Sequence, residues 1–316
     1  MPRRTEIIDP RAAAPLPRAQ LVALVTDGCD SPHTRRNYSA AVNDFMDWYE
    51  AAGHPLLNKA TISAYKRHLQ ETVSARTGRP LSASAKNLRL IAVRKLLGEL
   101  ADNGVIAPEV ATSAAKVKGI AQRGLKMGNW LPQAQAQALL DAPDTKTLMG
   151  KRDRALLAVL LGCALRRDEA ANLTAEHIQQ REGRWVIVDL IGKRQKTRSV
   201  PMPSWVKASL DAWTNAAGIT SGPLWRAFRK GDRVQDAPMS TGAVWKIVTR
   251  YCAALGFDDV APHDLRRTAA KLMRAGGAPL EQISLTLGHE SLDVTKRYLG
   301  TDLDLTDAAT DAIDLR

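Results

Sequence analysis

Four short stretches in the second half of this 316-residue sequence carry side chains able to do chemistry together. "ALRRDEAANL" sets Arg166 at a helix start, with Glu169 three residues on and one turn away. "IGKRQKTR" puts Lys193 in a turn between two extended runs. "PHDLRRTAA" holds His263 and Arg266 three apart, hence on one helix face. "LGHESLDVTKRYLG" has His289 behind a glycine and Tyr298 nine residues later.

Two guanidinium forks can clamp the non-bridging oxygens of one phosphate and stabilise the added charge of a pentavalent transition state. A tyrosine can attack phosphorus and form a covalent phosphotyrosine, given a base or a positive field to offset its pKa of about 10. A lysine whose pKa is lowered by neighbouring cations can protonate the departing sugar oxygen. The set describes phosphoryl transfer on a DNA backbone by protein side chains alone, with no metal and no cofactor. Singly, each residue has an ordinary reading: a surface ion pair, a solvated lysine, a capping histidine, a packing tyrosine. Their joint order and spacing point to chemistry.

Helices must hold most of these residues. "SPHTRRNYSAAVNDFMDWYEAAG" starts a helix with Ser31 as N-cap and Pro32 at the first helical position, and Gly53 closes it. Tyr38, Val42, Phe45 and Trp48/Tyr49 repeat at helical spacing, as do Ile62, Tyr65 and Leu69, then Leu88, Ile91/Ala92, Leu96 and Leu100. No strand is expected in this part. The run "ALLAVLLGCAL" (Ala155–Leu165) is too short for a bilayer and reads as a buried helix. At "RWVIVDLIGKRQKTRSVPMP" the period changes, and a β-hairpin with a basic tip is expected. Further helices are expected near Ser204–Ala217, Thr241–Leu255, Asp264–Ala275, Leu280–Gly288 and Leu292–Tyr298. The fold class is mainly α in two domains, one all-helical and one mostly helical with a small sheet. Residues 1–18 read as a loose Pro- and Ala-rich arm, 19–115 as the helical domain, 116–130 as a basic linker and 131–316 as the second domain.

The net charge is +12. Residues 1–130 carry 19 Lys+Arg against 11 Asp+Glu and residues 131–300 carry 25 against 17, while the last sixteen carry five Asp and one Arg. Two basic segments suit a polyanion, nucleic acid above all. The three cysteines, far apart and in no CxxC pair, argue against a disulfide framework or a zinc site and suit a reducing cytoplasm. The N-terminus has no apolar h-region, and no basic amphipathic helix with a bulky apolar face suggests a membrane surface.

The order of these motifs resembles that of the tyrosine recombinase (phage integrase) family, of Xer-like type, over nearly the whole chain. "ALRRDE" matches the family's "GLRxxE", "GKRQKTRSVP" its "GKGxKxRxVP", "HDLRRT" its "HxLRHT", and "LGHESLDVTKRYLG" its "LGHxSxxxTxxYxH". The sequence departs from these patterns at Ala164, at Arg267 where histidine is common, and at Gly300 where many members carry histidine.

The resemblance implies a SAM-like core-binding domain followed by an integrase-like catalytic domain with a tail helix. It implies that Arg166, supported by Glu169, and Arg266 hold the scissile phosphate with His289 as third donor. Lys193 is then the general acid for the 5′-oxygen, a role for which Lys196 is close enough to exchange with it. His263 assists proton transfer at Tyr298, the nucleophile. Thr34, Arg35, Lys86 and Arg94 in the first domain and Lys196 in the hairpin are candidate DNA contacts. The implied partner is double-stranded DNA, bound by a homotetramer on two sites that exchanges strands through a four-way junction in the cytoplasm, at the nucleoid. Accessory DNA-bending proteins or a partner recombinase are further expected partners. The tail, with Leu303, Leu305, Ala309 and Ile313 as an apolar stripe, is expected to dock on a neighbouring protomer. Two other readings share many of these features: type IB topoisomerase-like relaxation, and a non-catalytic DNA-binding protein on the same scaffold.

Overall fold

A computed structural model describes residues 16–74, 77–121, 129–191, 197–229 and 231–299. The chain divides into two compact units, Met1–Leu125 and Lys126–Arg316. The first is built from α1 (Arg18–Thr26), α2 (Pro32–Ala51), α3 (Lys59–Glu71), α4 (Ala83–Asp102) and α5 (Pro108–Ala115). Its longer helices start on side-chain caps. Ser31, Asn58 and Ser82 accept from the backbone N–H groups of Thr34, Thr61 and Ala85, each satisfying a donor that the first turn leaves free. Pro32 opens α2, where a missing N–H costs nothing.

The core of this unit is apolar and aromatic. Val42, Phe45, Tyr49, Ile62, Tyr65 and Leu69 are buried as their spacing predicts, and Phe45 meets Tyr65 edge-on with ring centroids 4.9 Å apart. On α4 the buried face is Leu90, Ala92, Val93, Leu96, Leu97 and Leu100. Ile91, expected inside, is 49% exposed, because "LRLIAVRKLL" is apolar enough to fit two neighbouring helical stripes. Helices α1 and α5 lie outside the periodic stretches, being short and weakly patterned. A single antiparallel bridge, Val73 to Pro80, is the one departure from all-helical pairing among the described residues. Beyond α5 the chain stays on this unit for several residues: Val117 is buried, and the Asn87 side chain donates to the Ile120 carbonyl at 3.0 Å and accepts from its N–H at 2.7 Å.

The second unit begins with α6 (Gln133–Asp141), α7 (Leu148–Gly162) and α8 (Arg167–Ala171). A three-stranded antiparallel meander follows, β1 (Ile178–Arg181), β2 (Arg184–Ile191) and β3 (Thr197–Pro201), in that order. Then come α9 (Ser204–Ala217), the hairpin β4 (Arg226–Arg229) and β5 (Arg233–Pro238), α10 (Thr241–Ala254), α11 (Pro262–Ala275), α12 (Leu280–Leu287) and α13 (Leu292–Leu299). The expected hairpin is β2–β3. The strands "IQQR" and "RAFR" carry too few β-branched residues to announce themselves, and they add β1 and the second hairpin. The mainly helical fold with small antiparallel sheets is as read from the sequence.

Helix α7 is the centre of this unit, buried on all sides from Ala155 to Leu161. It lies so close to α9 that a Cβ on Gly162 would come within 2.3 Å of Val206 Cγ2. The β4–β5 turn fixes its N-terminus, where Asp232 accepts from the N–H groups of Leu148 and Met149 at 2.8 and 3.0 Å. Trp225 Nε1 donates to the Ala170 carbonyl at 2.6 Å and so ties α8, which carries Glu169, to the core. Among the described residues no helix is long and apolar enough to cross a membrane.

Candidate active site

Helix α7 ends at Gly162, and the next four residues turn the chain into α8. Ala164 makes that turn with φ +52° and aims its carbonyl at the Arg266 guanidinium, whose Nη1 donates to it at 2.7 Å. Arg166 is the N-cap of α8. Its N–H donates to Glu169 Oε2 at 2.8 Å and its Nη1 to Oε1 at 2.8 Å, so one carboxylate fixes both its backbone and its fork.

Pro262 starts α11, and Asp264 accepts from the Ala261 N–H to cap it. One turn on, Arg266 is only 1% exposed. Besides Ala164 it donates through Nη2 to the Leu287 carbonyl, and Nη1 lies 3.9 Å from Glu169 Oε2. Helix α12 closes on Gly288 in the left-handed region (φ +60°), which reverses the chain and presents His289. The Arg166 Nη2 is 3.5 Å from the Gly288 carbonyl. His289 Nδ1 is 2.8 Å from the hydroxyl of buried Thr295. Tyr298 on α13 lies between the two histidines, with ring centroids 5.6 Å from His263 and 5.2 Å from His289, both nearly perpendicular. Its hydroxyl is 3.5 Å from the His263 carbonyl, and the Arg267 guanidinium stands 5.0 Å over its ring. An apolar patch of Ala164, Ala269, Ala270, Ile283, Leu287 and Leu299 holds these elements together.

Arg166, Glu169, His263, Arg266, His289 and Tyr298 therefore meet at one place. Lys193 and Lys196 lie outside the described residues, between β2 and β3. The first-unit candidates differ among themselves. Arg35 is exposed on α2 and reaches the Cys29 carbonyl at 3.0 Å, with Thr34 half-buried beside it. Lys86 Nζ donates to the Gln70 carbonyl at 3.0 Å. Arg94 turns inward and donates to the Val117 carbonyl.

Three further residues belong to the site that sequence reasoning missed. Arg198 on β3 grips both oxygens of Glu169, Nη1 to Oε1 at 2.7 Å and Nη2 to Oε2 at 2.8 Å. Its signal was its place in "GKRQKTRSVP". Thr295, in "LGHESLDVTKRYLG", holds His289. Arg267 stands over the Tyr298 ring, at the position where histidine is common in the family pattern.

The charges sort themselves by surroundings. Burial opposes ionisation of Glu169, yet the Arg198 fork and the Arg166 amide and guanidinium outweigh it and hold the carboxyl at about 2. Burial, then the charge of Arg166, brings Arg266 down to about 10. Burial, then Arg266, Arg166 and Arg198, pushes His289 down to about 4, so its ring is neutral at pH 7. His263 is lowered by loss of solvent and by Arg267 and Arg266. Tyr298 is raised by burial, against the pull of Arg266 and Arg267. Cations and neutral imidazoles thus surround a protonated phenol, an arrangement that can receive an anion and pass on a proton.

Comparison with known proteins identifies the family. The model of the phage integrase family matches residues 129–303, and that of the phage integrase N-terminal SAM-like domain matches 23–104. Tyrosine recombinase XerC of Pelobacter propionicus is 29% identical over 290 residues, covering 91% of each chain. Tyrosine recombinase XerC of Myxococcus xanthus is 30% identical over 283 residues, covering 85% of this chain and 87% of its own. The fold is shared with the XerH site-specific recombinase in a post-cleavage complex with a palindromic difH substrate, at a TM-score of 0.67 and 18% identity over 92% of this chain and 82% of that one. The chain belongs to the phage integrase family.

Proposed function

We propose that this chain is an Xer-like site-specific DNA recombinase that cleaves and rejoins DNA through a 3′-phosphotyrosine. The observation that carries the reading is the convergence of Arg166, Arg266, His289, His263 and Tyr298 about the turn that ends α12. The two guanidinium groups and one His289 N–H bind the non-bridging oxygens of the scissile phosphate. Tyr298 Oη attacks phosphorus, the P–O5′ bond breaks, and the 5′-oxygen leaves with a proton from Lys193. His263, whose lowered pKa keeps its ring free to accept, takes the phenol proton. The phosphotyrosyl bond conserves the energy of the broken linkage, so a 5′-hydroxyl from the other duplex reverses the step without ATP.

Tyr298 is packed against the histidines of its own chain, which supports cleavage in cis. The first unit, Lys196 and the basic segment at 116–130 grip the duplex. The active form is a homotetramer on two sites, coupled by the tail beyond Gly300, with strand exchange through a four-way junction. Accessory DNA-bending or partner recombinase proteins complete the set.

Covalent trapping tests the reading. The protein first selects its site from a random duplex pool, and a nicked duplex carrying that site is then incubated with wild-type chain or Tyr298→Phe. A denaturing gel is expected to show a protein–DNA adduct in wild type and none in the variant. A duplex demonstrably bound by wild type yet giving no adduct overturns the reading in favour of a binding protein. An adduct with supercoil relaxation by a monomer, and no joining of two sites, favours the topoisomerase-like alternative.

A further inference from the structure

Arg198 is the second residue of β3, directly beyond residues 192–196, and its side chain is 12% exposed. A register shift between Ile187 and Leu190 inserts an extra residue into β2, and Arg198 pairs with Leu190 across the ladder. Its three donor nitrogens are all engaged. Nη1 and Nη2 take the two oxygens of Glu169, and Nε donates to the Thr286 carbonyl at 3.1 Å. Glu169 is the same carboxylate that holds Arg166. Thr286 lies in the last turn of α12, one residue before the Leu287 carbonyl that Arg266 engages and three before His289. Gly288 makes room for the contact, since a Cβ there would come within 2.8 Å of Arg198 Cδ.

On the recombinase reading above, we infer that Arg198 is a positioning residue for DNA cleavage: it fixes Glu169, and through it the Arg166 fork, against the end of α12 that presents His289. Three segments distant in sequence meet on this one guanidinium. Its planar fork sets the carboxylate plane, and its third donor sets the helix end. A lysine keeps the charge but not the fork, so the Arg166 guanidinium loses its fixed orientation. Misplacement of a phosphate clamp by about 1 Å costs on the order of 100-fold in rate.

The test compares wild type, Arg198→Lys and Arg198→Met in single-turnover cleavage of the selected nicked duplex. A second duplex carries a methylphosphonate at the cleaved linkage, which removes the charge that the arginines neutralise. Arg198→Lys retains a cation against Glu169 and hence the fold, while Arg198→Met reports the structural share through its thermal midpoint. Arg198→Lys is expected to bind duplex within about 2-fold of wild type, to cleave the phosphodiester roughly 100-fold more slowly, and to lose most of that deficit on the neutral linkage. Wild-type rates in Arg198→Lys, or an equal deficit on both linkages, overturn the inference and leave Arg198 a structural ion pair. No adduct from wild type overturns the recombinase reading itself, and this inference with it.

Discussion

Three cations of the first unit each rest on a single carbonyl near a helix end, whereas the arginines of the second unit's cluster are drawn inside. In the first unit Lys86 reaches the Gln70 carbonyl in the last turns of α3, and Lys95 reaches the Val25 carbonyl at the end of α1, at 3.0 Å each. Arg35 takes the Cys29 carbonyl just beyond it. They meet carbonyls at or just past helix ends, over a core of aliphatic and aromatic residues. In the second unit Arg266 is buried among carbonyls, and Glu169 is shared between Arg166 and Arg198. Such single contacts near the surface contribute little to stability. Inner cations are held in one geometry before any substrate arrives, which is what electrostatic stabilisation of a transition state requires.

The contrast breaks most sharply at Glu169. Glu169→Ala takes away the carboxylate that faces both Arg198 and Arg266 and leaves their charge buried. A loss of about 3–5 kcal/mol in unfolding free energy is expected, together with loss of cleavage. Urea denaturation of the full chain measures it. A change below about 1 kcal/mol would mean that the inner cluster stabilises no more than a surface pair does.

Acid should separate the two units next. Glu169 titrates at about 2 in the folded chain against roughly 4.3 when unfolded, so its contribution is present above pH ~4.3 and is lost as pH falls towards 2. His289 titrates at about 4 against roughly 6.5 unfolded, so the unfolded chain takes up its proton first and stability falls between pH ~6.5 and ~4. His263 acts in the same direction. All three groups lie in the second unit. Hydrogen exchange of the full chain is expected to lose protection around α11 and α12 on going from pH 7 to pH 5, before α2 and α4 do. Equal loss in both units would refute the assignment.

The same contrast explains what could be read from the sequence. Caps, buried stripes and the β2–β3 hairpin were legible because each is a local pattern, such as Ser31 before Pro32. The catalytic candidates were legible because six side chains in a fixed order resembled a known family. The grip of Arg198 on Glu169 was not. It spans 29 residues, and it depends on a bulge in β2 and on Gly288 leaving space, neither of which has a periodicity. Arg94 shows a second gap of this kind: the resemblance made it a candidate DNA contact with Lys86, and no local pattern reveals its hydrogen bond to the Val117 carbonyl beyond the end of α5.

Arg94 and its neighbours sharpen the comparison at the level of single residues. Arg35→Ala with Lys86→Ala is expected to leave stability within about 0.5 kcal/mol, and to reduce the slope of log K against log salt by up to about 0.9 for each phosphate no longer neutralised. Arg94→Ala is expected to do the opposite, costing about 1–2 kcal/mol through a carbonyl left without its charged donor while the salt slope stays put. Duplex titrations at several salt concentrations, paired with urea melts, read both quantities. An Arg94 variant that lowers the slope would make this residue a DNA contact.

The smallest effect is expected at Ala164, inside the cluster itself. An alanine at φ +52° bears a left-handed backbone that costs about 1–2 kcal/mol. Ala164→Gly relieves it, but the unfolded chain gains freedom worth about 0.5–1 kcal/mol, and a methyl buried in the apolar patch is lost at about 0.8 kcal/mol. The terms nearly cancel, so the thermal midpoint should move by no more than about 3 °C. Cleavage should hardly change either, because the carbonyl that receives Arg266 belongs to the backbone, which glycine can carry along the same path. A variant that keeps its midpoint yet loses cleavage would show that the methyl, by restricting the turn between α7 and α8, helps to hold Arg266 in place.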